Sequence, residues 1–246
     1  MMGGEMTDLP RPAYAAPRKL SRWLLLFLLL NLLAAAIAVV TGFLARLPLV
    51  QLRKGVASDA VINAVLETEE RHNLVSAVHG AIGIIVGILF LMWVYRVARN
   101  AHALAVKPMR FTPGSAVWWY FVPVFNIFRP YQAFFEVWSI SADPDAPYRN
   151  RRSDALALWW FLWLVSNALL TVAIIIIVVS RKDDIGSLLL GNIFRLGGDI
   201  LAIPLSLAVM RIVVRLNKLQ AAYHHRHHEA HKPDPRVPAN ANPAHA

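Results

Sequence analysis

The chain has 246 residues, 57% hydrophobic and 16% charged, where a soluble globular domain has about 25% charged residues. That balance excludes an ordinary soluble fold, and the absence of cysteine excludes disulfides, thiolate nucleophiles and Cys-ligated zinc, haem or iron-sulfur centres. The formal net charge of +10 flanks apolar runs instead of forming a patch on a soluble surface, so membrane lipids are the expected partner and nucleic acid is not.

A spanning helix needs about 20 mostly apolar residues, because each advances about 1.5 Å through a core roughly 30 Å thick. Residues 1–22 precede the first such run; they carry Pro10, Pro12 and Pro17 with little apolar content and read as a disordered cytoplasmic tail. The first span covers about 23–44, with Asn31 its one strongly polar residue. Its apolar run exceeds the roughly 7–15 residues of a signal-peptide core, so it reads as an uncleaved anchor. In the loop that follows, Val61, Ile62, Val65 and Leu66 recur at helical spacing and predict a short amphipathic helix over 58–70, packed on the outer face. The second span, about 74–97, carries His79 and the glycines Gly80, Gly83 and Gly87. A lone histidine in such a helix more often bonds a neighbouring helix than a metal.

The segment between the second and third spans is not a simple loop. Residues 115–128 are apolar but too short to cross, with Pro123 in the middle and Asn126 near the end. Pro130 then suits the first turn of a helix. Along that helix Arg129, Gln132, Glu136 and Ser139 make a polar stripe, and Tyr131, Phe134, Phe135 and Trp138 an aromatic one. The spacing predicts a cytoplasmic-side amphipathic, interfacial segment over 113–141. On the ordinary reading, its rings float the loop at the headgroup level. On the functional reading, Trp118, Trp119, Asn126, Arg129, Tyr131, Gln132, Glu136 and Trp138 bind a lipid headgroup or a protein partner, since arginine can fork two hydrogen bonds onto a phosphate or carboxylate. Arg129 and Glu136 are seven residues apart, about 10.5 Å along a helix, too far for a direct bond. A crossing by 115–140 would raise the count to five spans and move the C-terminus outside; the polar stripe argues against it.

The third span, about 155–179, opens on Trp159, Trp160, Phe161 and Trp163. The fourth, about 185–214, is interrupted by Asn192, Arg195, Asp199 and Pro204. Arg195 and Asp199 share a helix face at i, i+4, which predicts an intrahelical ion pair near the outer leaflet. The sharper alternative is an ion or proton pathway through an oligomer that uses His79, Asn192, Arg195 and Asp199, because ionisable groups at membrane depth are costly and often functional. The membrane domain thus covers 23–220. The tail 221–246 reads as disordered, and its cluster His224, His225, His227, His228, His231 and His245 needs no metal to explain it; no metal and no cofactor is expected.

Lys and Arg collect on the N-terminal flank, between the second and third spans, and on the C-terminal flank, whereas the first and third loops balance Arg and Lys against Glu and Asp. Short basic loops resist translocation, so both termini and the central segment are expected on the cytoplasmic side. The reading is an all-α integral membrane bundle of four transmembrane helices plus one interfacial segment.

The run from Trp93 to Trp138, with Tyr95-Arg96, Asn100, Leu104, Arg110-Phe111, Pro113-Gly114, Trp118-Trp119, Pro123, Asn126, Arg129-Pro130-Tyr131 and Glu136-x-Trp138, closely resembles the bacterial membrane proteins grouped as domain of unknown function 4328. Residues Arg211 to Gln220 are similar to that family's closing Arg-rich, Gln-ended helix. Ala105 and Val106 depart from it, standing where many members have Gly, and the His-rich tail is private to this chain. The resemblance implies a four-span protein of the bacterial cytoplasmic membrane and supplies no reaction. No G-x-S-x-G, H-E-x-x-H, phosphate-cradling or dinucleotide motif occurs. The expected function is therefore non-enzymatic: binding of lipid headgroups or a protein partner through the interfacial segment. The alternative is a small-solute or ion transporter or channel formed as a homo-oligomer.

Overall fold

The computed structural model describes residues 13–147, 153–179 and 185–230. Every regular element among these residues is a helix, and the long ones and their two short companions are α1 Arg18–Arg53, α2 Asp59–Leu104, α3 Pro113–Trp118, α4 Arg129–Ala142, α5 Asp154–Val179 and α6 Ile185–Ala230. Three of them, α1, α2 and α5, are long and apolar enough to cross a membrane.

Local chemistry sets where the helices begin and end. The turn after α1 closes on Gly55, whose φ of 87° is the left-handed conformation that glycine adopts without steric cost. Ser58 then caps α2, its hydroxyl accepting from the Val61 N–H at 3.4 Å. The amphipathic stretch expected as a separate helix over 58–70 is instead the first part of α2, which continues without a break to Leu104. Nothing between Glu70 and Leu74 is proline or glycine, so no residue there breaks the helix. At about 1.5 Å per residue the 46 residues of α2 extend well beyond a bilayer core, and the connection between α1 and α2 shrinks to a tight turn.

Helix α1 runs antiparallel to α6, as the Ser21–Asn217, Asn31–Ser206 and Gly42–Asn192 hydrogen bonds record from one end to the other. Helix α2 runs parallel to α6, joined by His79–Asp199, Trp93–Asn217 and Asn100–Gln220. Helix α5 packs on α6, and α3 and α4 cover one end of the bundle. The core sits at that end, built from Leu24, Trp93, Val97, Phe134, Trp159 and Leu216. Elsewhere α1 turns Leu26, Leu33, Ile37 and Val40 outward, as a helix facing lipid does.

Helix α6 reaches Ala230, so 221–230, assigned to the tail from sequence, continue the helix. Residues 13–22, assigned to the N-terminal tail, are also tied down, with α1 beginning at Arg18 and Ala15 held by Asn100. The remaining tails (1–12 and 231–246), the basic residues Arg149, Arg151 and Arg152, and the third loop (180–184) lie outside the described residues.

Candidate functional site

The segment between α2 and α5 is two helices of 6 and 14 residues joined by a reversal, and neither is long enough to cross a core of about 30 Å. Thr112 caps α3, accepting from the Ser115 N–H at 3.1 Å, and Pro113 occupies the first turn, where its missing N–H costs nothing. After α3 the chain turns at Val124, the one non-glycine residue with positive φ (66°) among the described residues. The Phe125 N–H donates to the Pro123 carbonyl at 2.8 Å, which closes a three-residue γ-turn. A β-branched residue in that conformation costs on the order of 1–3 kcal/mol. A 3-10 turn, Phe125–Ile127, leads into α4, and the Trp160 indole N–H holds the loop by donating to the Ile127 carbonyl at 3.0 Å. Outside this anchor, Trp118, Phe121, Val124 and Ile127 stand exposed.

The eight candidate residues of this segment fall into three settings. Trp118 is exposed and Asn126 half-buried in the turn. Arg129 lies in a cage of rings, its guanidinium 5.5 Å from the centroid of Trp119, 5.9 Å from Phe128 and 6.0 Å from Phe125. It reaches the Gln132 carbonyl oxygen at 3.4 Å, and its Nε is buried with no partner. Tyr131 stacks on Phe135 and leans on Trp160. Glu136 and Trp138 turn inward. The Glu136 carboxylate is buried and accepts the backbone N–H groups of Arg110 at 2.7 Å and Phe111 at 3.0 Å, fastening the connection that leaves α2. Trp138 is buried under the Arg215 guanidinium, 5.4 Å from its ring. The polar stripe read from the sequence therefore divides: Gln132 is exposed, while Glu136 and Ser139 face the protein.

Beside this segment, between the start of α1 and α2, is a groove of about 840 Å³. Arg18, Lys19 and Arg96 rim it, Ile88, Leu91 and Met92 form its wall, and Val117 of α3 closes one side. Behind it lies a buried polar network. The Asn100 amide donates to the Gln220 carbonyl oxygen at 3.2 Å and to the Ala15 carbonyl at 3.1 Å, and accepts the Ala15 N–H at 3.1 Å. Gln220 donates to the Val97 carbonyl and the Ser141 hydroxyl, each at 2.9 Å. Asn217 accepts from the Trp93 indole at 3.2 Å and donates to Ser21 at 2.8 Å. Buried amides of this kind are tolerated only when their groups are paired. Among the described tail histidines, His224 stacks on Tyr14 with ring centroids 4.3 Å apart, and no group of three metal-ligating side chains forms among the described residues.

At the other end of the bundle, α6 brings Asn192, Arg195 and Asp199 against α1 and α2. The intrahelical Arg195–Asp199 ion pair expected from their spacing does not form. Asp199 instead meets His79 Nδ1 at 3.1 Å, and Arg195 donates to Asn73 Oδ1 at 3.1 Å and Ser76 Oγ at 3.0 Å. Partners on α2 are available to both, which outweighs a solvent-style pair along one helix. Asn192 donates to the Gly42 carbonyl at 3.3 Å next to fully buried His72, whose Nδ1 lies 3.1 Å from the Thr41 hydroxyl. Arg195, His79 and Asp199 line a cleft of about 660 Å³ between α2, α5 and α6.

Asn100, Gln220, Asn217 and the groove cations Arg18, Lys19 and Arg96 were not singled out from sequence as a site. Asn100, Arg96 and Gln220 do fall in the family-like runs, and that was the available signal; their meeting requires α2 and α6 to lie parallel, which no local pattern records. The family profile described as Domain of unknown function (DUF4328) matches residues 59–218, well over half of the chain. No curated protein and no solved structure is significantly similar to it.

Proposed function

The chain belongs to the DUF4328 family, and from that premise we propose that it is a non-enzymatic, four-span protein of the bacterial cytoplasmic membrane that holds an anionic phospholipid headgroup on its cytoplasmic face. Helix α6 is the fourth span on this reading, because it packs along α1 and α5, both apolar enough to cross. Cytoplasmic termini are supported by the basic residues Arg18, Lys19, Arg22, Arg96, Arg99 and Arg215, which occupy the helix ends around the core.

The observation that carries the proposal is the groove rimmed by Arg18, Lys19 and Arg96 over the apolar wall of α2. Phosphate meets the cations and acyl chain meets the wall. The exposed rings of Trp118 and Phe121 anchor the adjoining segment in the same leaflet, the behaviour of aromatic side chains at an interface. Near a membrane surface each cation contributes about 1 kcal/mol toward anionic lipid, so three supply about 3 kcal/mol, roughly a hundredfold preference. Native mass spectrometry of the full chain taken from nanodiscs of mixed phosphatidylglycerol and phosphatidylcholine measures it. The triple variant Arg18→Gln, Lys19→Gln, Arg96→Gln should lose the preference while still inserting. Equal retention of both lipids by the wild type would refute the proposal.

The contact between His79 and Asp199 favours a second reading, a small-solute or ion pathway formed by oligomerisation. Flux in proteoliposomes that disappears on Asp199→Asn would carry it, and no flux over a broad solute panel counts against it.

A further inference from the structure

We propose that the cleft between α2, α5 and α6 binds a single-chain amphiphile with an anionic head, the head held by Arg195 and the chain lying over the glycine face of α2. This site is at the opposite end of the bundle from the phospholipid groove and shares no residue with it.

Two independent observations carry the inference. The first is a cation without a counter-charge in contact. Arg195 donates hydrogen bonds to neutral acceptors, Asn73 and Ser76, and among the described residues no carboxylate lies within ion-pair distance of it, because Asp199 is engaged by His79. Arg195 is half-buried in the lining of the cleft, and the N–H groups left over from those two bonds can fork onto a carboxylate or phosphate. Glu69, half-buried on α2, is near enough for Arg195 to act on its ionisation but does not pair with it.

The second is empty space where a helix contact would be expected. Glycine in a membrane helix ordinarily lets a neighbouring backbone approach, and inside a helix it costs about 1 kcal/mol relative to alanine. A Cβ added at Gly80 or at Gly198 would meet no atom within 4 Å, so these glycines serve no packing contact. They leave a trough, floored by α6 and walled on the far side by Leu170 and Ile174 of α5. The volume of about 660 Å³ lies within the roughly 300–1,000 Å³ typical of ligand sites. Arg195 and the His79–Asp199 pair, in which the histidine engages the carboxylate, form the polar part of the cleft, and Ile84, Leu170, Ala173 and Ile174 form its apolar part; the two parts match the head and the chain of an amphiphile.

The experiment uses the full-length protein in phosphatidylcholine nanodiscs with photoactivatable C12 probes carrying a carboxylate, a phosphate ester or a neutral hydroxyl head. Labelling should concentrate on the cleft residues Ile84, Leu170 and Ile174, and at least one anionic probe should exceed the alcohol by about tenfold, the contribution of one charge-assisted contact. Which anionic probe labels tells a fatty acid from a single-chain phosphate. Gly80→Leu should abolish cleft labelling with the melting temperature unlowered, since it fills open space and adds a helix-favouring residue. Arg195→Gln should bring the anionic probes down to the level of the alcohol. Equal labelling by all three probes, labelling spread over outward residues such as Leu33 and Ile37, or cleft labelling undiminished in Gly80→Leu would each overturn the proposal. The phosphatidylglycerol preference reads a different end of the bundle, so the two proposals fail separately.

Discussion

Glu136 offers the sharpest test of how the segment between α2 and α5 is held. Its buried carboxylate accepts two backbone N–H groups, from Arg110 and Phe111, and so ties the exit of α2 to α4. Glu136→Gln keeps the shape but leaves one acceptor oxygen and turns an amide donor toward an N–H. A hydrogen bond to a charged group is worth about 1.5–3 kcal/mol, and a buried donor left unpaired costs about 1–3 kcal/mol. The substitution should therefore destabilise by about 1.5–3 kcal/mol, because these two figures describe largely the same lost contact. For a chain of this size that corresponds to a fall in melting temperature of about 3–12 °C. Thermal unfolding of the detergent-solubilised chain, followed by tryptophan fluorescence, measures it, with Gln132→Ala on the exposed side of the same helix as a control expected within about 0.5 kcal/mol of wild type. Trypsin should also cleave sooner after Arg110 in the Glu136→Gln variant, whereas the Lys107–Pro108 bond resists it in either form. Matching melting curves for wild type, Glu136→Gln and Gln132→Ala would refute the reasoning and return Glu136 to a role toward an external ligand.

Two further outcomes follow from the same contacts. Asn100→Ala removes the clasp on Ala15 and leaves the buried Gln220 carbonyl oxygen without the Asn100 donor; stability should fall by about 2–4 kcal/mol, and the segment before α1 should become protease-sensitive, whereas resistance equal to wild type would show that the clasp does not hold it. Burial raises the Glu69 carboxyl above its ordinary value, with Arg195 partly offsetting the rise. The folded state then holds that proton more tightly than the unfolded one, so the contribution of Glu69 to stability falls as pH rises from the ordinary carboxylate range upward. Glu69→Gln should remove that fall, and its melting-temperature advantage over wild type should grow between about pH 4 and about pH 7; an advantage independent of pH would contradict the assignment.

Legibility followed the range of the forces involved. The long apolar helices and the helix opened by Pro130 are written in runs and periodicities of neighbouring residues, and proline, threonine and glycine mark the ends of helices. The amphipathic period over 58–70 marks a helix, but whether that helix stops before the apolar run depends on a breaker, and with none present α2 continues to Leu104. The stripe Arg129, Gln132, Glu136, Ser139 shows the limit of face reasoning. Periodicity places polar residues on one side of α4 but cannot say that the backbone of Arg110 and Phe111 lies opposite Glu136, which makes an inward carboxylate favourable.

By itself, the sequence determined the helical class, the apolar helices and the family, since these depend on composition and on residues near one another in the chain. Only the tertiary structure decided the partners: that Asp199 meets His79 and leaves Arg195 facing a cleft, that Asn100 and Gln220 close a buried network, and that Arg18, Lys19 and Arg96 converge on one groove. Those pairings join residues roughly 80 to 120 positions apart, and their energy comes from removing polar groups from a poor solvent onto one another, a quantity that exists only once the helices are side by side.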